Sequence, residues 1–137
     1  MNLSNLIRQH VDIRDEIKYI NEVVDKSSIE LNTMDIASRI NKLAGKLQVH
    51  LMSEDKFLYP SLINGKDLEL REMATLYMDE MGEISEVFKE YKNKFNTKNK
   101  IEANKEGFFQ ETKIILKEIE ERIDKEENGL YKLIISK

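Results

Sequence analysis

The sequence predicts an all-α fold, an up-down-up-down four-helix bundle spanning residues 1–137 as one domain. Three observations point there. Apolar residues recur in steps of three and four over four long segments. Helix breakers are scarce, with five glycines and one proline in 137 residues, so long uninterrupted helices are possible. Polar stretches short enough to act as bundle connections separate the four segments.

The first segment runs from about Ser4 to Lys26. Its stripe is Leu3, Leu6, His10, Ile13, Ile17, Ile20 and Val24. Ser4 suits an N-cap, and Ser27–Ser28 a stop. The second runs from about Thr33 to Leu58, capped by Thr33 or Asn32. Its stripe is Ile36, Ile40, Leu43, Leu47, His50, Glu54 and Phe57, and Pro60 is expected to end it. The third runs from about Asp67 to Phe95 along Leu70, Met73, Tyr77, Glu80, Ile84, Val87 and Tyr91. A neighbouring stripe adds Met81, Phe88 and Phe95. The fourth runs from about Glu102 to Asn128 along Phe108, Thr112, Ile115, Ile119, Arg122 and Glu126, with Gly129 as its expected stop. The apolar tail, Leu130 to Ile135, can pack back on the bundle. No repeat or low-complexity segment is evident.

Bulk properties exclude several functions. The chain has no cysteine, so disulfides, thiolate metal sites and cysteine nucleophiles are ruled out. A net charge of −4 argues against nucleic acid as the main partner. The basic run from Lys92 to Lys100 reads as a solvated loop. No apolar run reaches membrane-spanning length and no leader is visible, so a cytoplasmic location with no membrane partner is expected. Phosphate-binding glycine loops and nucleophile elbows are missing, as is the Glu-x-x-His pair of ferritin-type oxidases.

The stripes are interrupted at related depths by His10, by His50 and Glu54, by Glu80, and by Arg122 and Glu126. With about 1.5 Å of rise per residue, His10, His50, Met81 and Arg122 agree in depth to within about 9 Å, so the polar residues can share one layer. An uncompensated buried charge costs several kcal/mol, so either a cation or a closed hydrogen-bond network must neutralise the layer. His50 and Glu54, four residues apart, project from one helix face. His10 and Glu126 can complete a set of two imidazoles and two carboxylates, which suits iron(II), manganese or zinc.

This pattern resembles the hemerythrin-like, or HHE cation-binding, family. The segments that carry the resemblance are IRQHVDI with His10, HLMSEDKFLYP with His50 and Glu54, and RIDKEENGLYKLI with Glu126. The resemblance implies a bundle around a non-haem di-iron centre that binds oxygen or senses nitric oxide, redox state or iron. It places a third-helix histidine where Met81 stands and a fourth-helix histidine where Arg122 stands. One half of the ligand set, His10, His50, Glu54 and Glu126, is therefore kept, and the other half is lost. The expectation is a metal-binding module with one ion in place of two, iron first with zinc or manganese as alternatives, and a small diatomic ligand. The alternative is a metal-free structural or interaction bundle in which Arg122 replaces the metal by pairing with Glu54 and Glu126. Half a dinuclear site argues against an enzyme. Glu127 is expected to face solvent. No protein partner is indicated.

Overall fold

A computed structural model describes residues 2–25 and 32–137. The expected end of the first helix at Lys26 and its stop at Ser27–Ser28 lie outside the described residues. No strand occurs among the described residues, and no helix there is long and apolar enough to cross a membrane.

Four antiparallel rods form the bundle. The first is α1, Ser4–Asp25. The second joins α2, Thr33–Ser53, through a π-helical turn at Glu54–Leu58 to α3, Tyr59–Ile63. The third is α4, Leu68–Phe95. A short crossing helix, α5, Lys98–Ala103, leads to the fourth rod. That rod joins α6, Lys105–Lys125, through a π-helical turn at Glu126–Tyr131 to α7, Lys132–Ser136. Helix α1 packs against α2 and α6, and α4 packs against the same two, closing the ring.

Side-chain caps set the helix starts. Asn32, Asp67, Thr97 and Asn104 each accept the backbone N–H three residues on, satisfying donors a helix leaves unpaired. Ser4 is not a cap. It is the first helical residue, and its N–H donates to Asn2 Oδ1 at 2.9 Å. The fourth rod begins later than expected because Asn104 caps a new helix there.

The core has two apolar clusters. The larger, toward the α5 end, includes Ile13, Ile17, Ile40, Leu47, Phe88, Phe95, Phe108, Ile119 and Ile123. The smaller, at the opposite end, includes Leu3, Leu6, Leu58, Tyr59, Leu62, Tyr77, Leu130 and Tyr131. His10, His50, Glu54 and Glu126 belong to neither cluster, and all four are fully buried. In sequence they fall between the two on each rod, as in Leu6–His10–Ile13 and Leu47–His50–Glu54–Leu58.

Both π-turns begin at the carboxylates of this layer, and both overturn an expected boundary. A turn with i→i+5 bonds takes in one more residue than an α-turn, so the buried face moves on by one position. After Glu54 the buried residues are Leu58, Tyr59 and Leu62, and Phe57, expected in the core, is 67% exposed. Pro60 does not end the second rod. The Tyr59 N–H bonds to the Glu54 carbonyl, and Pro60 stands at the start of the renewed α-segment, where its missing N–H is not needed. Gly129 likewise lies inside the second π-turn, and the rod continues to Ser136. The tail extends the helix and packs on the bundle as expected, with Leu130 and Tyr131 buried, Leu133 and Ile134 against the smaller cluster, and Ile135 exposed.

The two π-turns share the pattern Glu-x-x-x-Leu-Tyr, at Glu54–Tyr59 and Glu126–Tyr131. It is a short internal likeness that relates the two halves of the bundle. Four residues before each glutamate stand His50 in one half and Arg122 in the other.

On α4 the buried line is Leu70, Ala74, Tyr77, Met81, Phe88, Tyr91 and Phe95. Val87 is exposed, against expectation. The helix is turned so that Met81 faces inward and Glu80 faces α6.

Candidate metal centre

Nearest-neighbour geometry at the layer is tight. His10 Nε2 and His50 Nε2 are 2.9 Å apart. Glu126 Oε1 lies 3.3 Å from the first and 3.6 Å from the second. Glu54 Oε1 lies 2.8 Å from His50 Nε2. His10, His50 and Glu126 each offer a ligand atom, all within 4.8 Å of one another, and Glu54 joins through His50.

The outward ring nitrogens fix the tautomers. His10 Nδ1 donates to Glu127 Oε2 at 2.7 Å, an atom that in its ionised form can only accept. On the other side a chain of bonds leaves no choice. The Ser53 hydroxyl donates to the Val49 carbonyl at 2.9 Å, so its oxygen accepts from Gln9 Nε2 at 3.2 Å. That orients the Gln9 amide with Oε1 toward His50, and His50 Nδ1 donates to it at 2.8 Å. An imidazole held in this way keeps a proton on Nδ1, and in its neutral form turns an Nε2 lone pair inward.

The carboxylates are equally short of donors. Among the described residues, both Glu54 oxygens and Glu126 Oε1 are buried without a hydrogen-bond donor of good geometry. Glu126 Oε2 accepts from the Tyr59 hydroxyl at 3.1 Å. Tyr131 stacks on the His10 ring, with centroids 5.4 Å apart, and its buried hydroxyl has no partner.

Electrostatics follow from burial. Burial pushes the Glu54 carboxyl up to about 8; neighbouring Glu126 adds to this, and His50 opposes it. Burial alone would push Glu126 up, but its neighbours Glu54, His10 and His50 hold it well below the usual carboxylate range. For His50, burial acts downward and is outweighed by Glu126 and Glu54, which lift it to about 9. Burial, then the Glu126 charge, pushes the Tyr59 and Tyr131 hydroxyls far upward, so both stay protonated. Protons on His50 and Glu54 thus stand where a cation would.

The second half of the layer does not fit a cation. Met81 is buried at the third-helix position and offers only a thioether, a weak donor. Arg122 does not reach Glu54 or Glu126. Its ion pair is with Glu80, which also binds Lys125 Nζ at 3.3 Å. The Arg122 guanidinium lies over the Tyr77 ring, 5.2 Å from the centroid. The expected stand-in of Arg122 for a metal is therefore corrected. The rotation of α4 that buries Met81 brings Glu80 within reach of Arg122 and draws the guanidinium away from the carboxylates.

Sequence reasoning missed Glu127 and Gln9. Glu127 was assigned to solvent, yet its carboxylate also takes two bonds from Arg14 Nη1, at 3.0 and 2.9 Å. The available signal was the Glu126–Glu127 pair itself. Consecutive helical residues project about 100° apart, so if one faces the core its neighbour faces the adjoining helix.

A bundle with two imidazoles and two carboxylates buried across its waist defines a class of helical cation-binding proteins. The family model for the hemerythrin HHE cation-binding domain matches residues 1–134, and the chain belongs to that family. Comparison with curated proteins and with solved structures returns no match.

Proposed function

We propose that this chain is a hemerythrin-type module that holds one divalent cation through His10, His50, Glu54 and Glu126. The whole of residues 1–137 then forms one domain around that site. The observation that carries the reading is the pair of inward-facing Nε2 atoms, 2.9 Å apart, beside carboxylate oxygens without a donor in a fully buried layer. Leaving such acceptors unsatisfied costs about 1–3 kcal/mol each, more for a charged group, and a cation satisfies all of them together. Two nitrogens and two oxygens suit iron(II) first, with zinc and manganese as alternatives. An iron ion here would supply a redox-active Lewis acid with affinity for a diatomic molecule such as oxygen or nitric oxide. The protein's own part is to fix both imidazoles, exclude water and hold the carboxylates. A single ion follows from Met81 and the Arg122–Glu80 pair, and a carrier or sensor role fits that better than dinuclear oxidation chemistry.

One observation favours a second reading, a metal-free bundle. The protons on His50 and Glu54 can neutralise the layer without a cation, and without Arg122. Metal uptake separates the two. Chelator-stripped protein is offered iron(II) under anaerobic conditions, then zinc and manganese in parallel, and is desalted and assayed by elemental analysis. The cation reading expects about one ion per chain, lost in His50→Ala and Glu126→Ala. No metal above trace in purified or reconstituted protein would leave the metal-free reading standing.

A further inference from the structure

His10 is held from both sides by consecutive glutamates. Glu126 Oε1 faces its Nε2 at 3.3 Å, and Glu127 Oε2 accepts from its Nδ1 at 2.7 Å. Arg14, one turn further along α1, clamps Glu127 with two bonds from Nη1 and reaches Asp124 Oδ1 with Nη2 at 2.6 Å. The relay Asp124–Arg14–Glu127–His10 runs inward from solvent: the side chains are 61%, 33%, 27% and 0% exposed in that order. His50 has a neutral counterpart, the Gln9 amide. The two nitrogen donors are thus backed by groups of different charge.

We propose that Glu127, clamped by Arg14, is a positioning residue that makes His10 the stronger nitrogen donor of the site; this rests on the cation reading above. Three physical facts support it. An ionised carboxylate accepts a stronger bond than an amide oxygen does, and a carboxylate stands at His10 Nδ1 where an amide stands at His50 Nδ1. A carboxylate on the far ring nitrogen raises the electron density available at the near one and locks the ring orientation, as outer-shell partners of metal-bound histidines do. Arg14 holds the Glu127 carboxylate with two bonds from Nη1, at 3.0 and 2.9 Å, so the acceptor is oriented toward His10 before any cation arrives. A surface ion pair serving stability alone would need only Arg14 and Glu127, without the bond to a fully buried imidazole.

The test uses the intact chain as wild type, Glu127→Gln, Glu127→Ala and Arg14→Lys. Cobalt(II) affinity is measured by competition with a chelator. The His10 tautomer is read in the cation-free protein by nitrogen-15 NMR. Glu127→Gln keeps an acceptor and loses the charge, so it should hold the Nδ1–H tautomer and bind cobalt about tenfold more weakly. Glu127→Ala removes both, so His10 should populate both tautomers and affinity should fall up to about 100-fold. Arg14→Lys should lie between wild type and Glu127→Gln. Unchanged cobalt affinity in Glu127→Ala, or an unchanged His10 tautomer there, overturns the proposal. If Glu127→Ala does not fold, an affinity for Glu127→Gln within twofold of wild type overturns it instead. Wild-type protein that takes up no cobalt overturns the cation reading itself, and this one with it.

Discussion

Gly129 is small because Tyr77 stands over it. A β-carbon built at Gly129 would lie 2.5 Å from the Tyr77 hydroxyl and 3.6 Å from the ring carbon that bears it. Tyr77 is 5% exposed, and its hydroxyl donates to the Lys125 carbonyl at 3.3 Å, so the ring cannot simply swing aside. Two effects of opposite sign meet in Gly129→Ala. Helix propensity favours alanine by about 0.8–1 kcal/mol. The clash costs about 1–3 kcal/mol and should win. Gly129→Ala is therefore expected to lower stability by about 1 kcal/mol in a Tyr77 background. In a Tyr77→Phe background the clash is gone, and the same substitution should raise stability. Denaturant unfolding of the four proteins measures this cycle. Two single effects that merely add would show that the hydroxyl is not the obstacle. The same residue shows a limit of reading one sequence. Glycine after a helical stripe signals a stop, and nothing local distinguishes that use from a close approach by a side chain 52 positions away.

Among the elements, the two π-turns decide what was legible. The four rods and the inward placement of His10, His50, Glu54 and Glu126 follow from a period of 3.6, because on each rod these residues stand before the register changes. Phe57, Pro60 and the end at Gly129 fail together because each lies within or just beyond a π-turn that adds one residue. Val87 fails for a different reason: two adjacent stripes run along α4, and only packing against the neighbouring helices selects the one with Met81 and Phe88. Glu127 was hidden because it neighbours a core residue and carries charge, the usual mark of a solvated face. The phase shift can be tested directly. Phe57→Ser should change stability by less than about 0.5 kcal/mol, as for an exposed position without special contacts. Leu58→Ala, at a position 1% exposed, should cost about 2–5 kcal/mol. A bundle with unbroken α-period through Leu58 would give the reverse order in thermal or denaturant unfolding.

For the molecule as a whole, the polar layer ties stability to cation and pH together. The layer separates two apolar clusters, so it is a point where the bundle is held by electrostatics more than by packing. Without a cation, Glu54 and His50 bind protons more tightly in the folded chain than in the unfolded one, since both are raised, to about 8 and about 9. A raised group stabilises fully below its unfolded value and loses that contribution as pH rises through its folded value. The cation-free bundle should therefore lose stability from these two groups between about pH 4.5 and 9. Glu126 is lowered, so it stays ionised throughout that range, and the stability it adds is complete about one pH unit above its unfolded value. A cation needs both ligands deprotonated, so protons compete with it and its apparent affinity should climb over the same interval. At a free cation concentration about 100 times the dissociation constant, the gain is about 2.7 kcal/mol, or roughly 10 °C for a domain of this size. The gap in melting temperature between cation-loaded and chelator-treated protein should accordingly widen from pH 6 to pH 8. Scanning calorimetry at matched ionic strength, with zinc at fixed free concentration, reads it directly. In His50→Ala the gap should close at every pH, because one nitrogen donor and one competing proton site are removed together. A wild-type gap that stays constant or narrows with rising pH would mean that any bound cation does not displace the protons of Glu54 and His50, and so does not sit among the four residues of this layer.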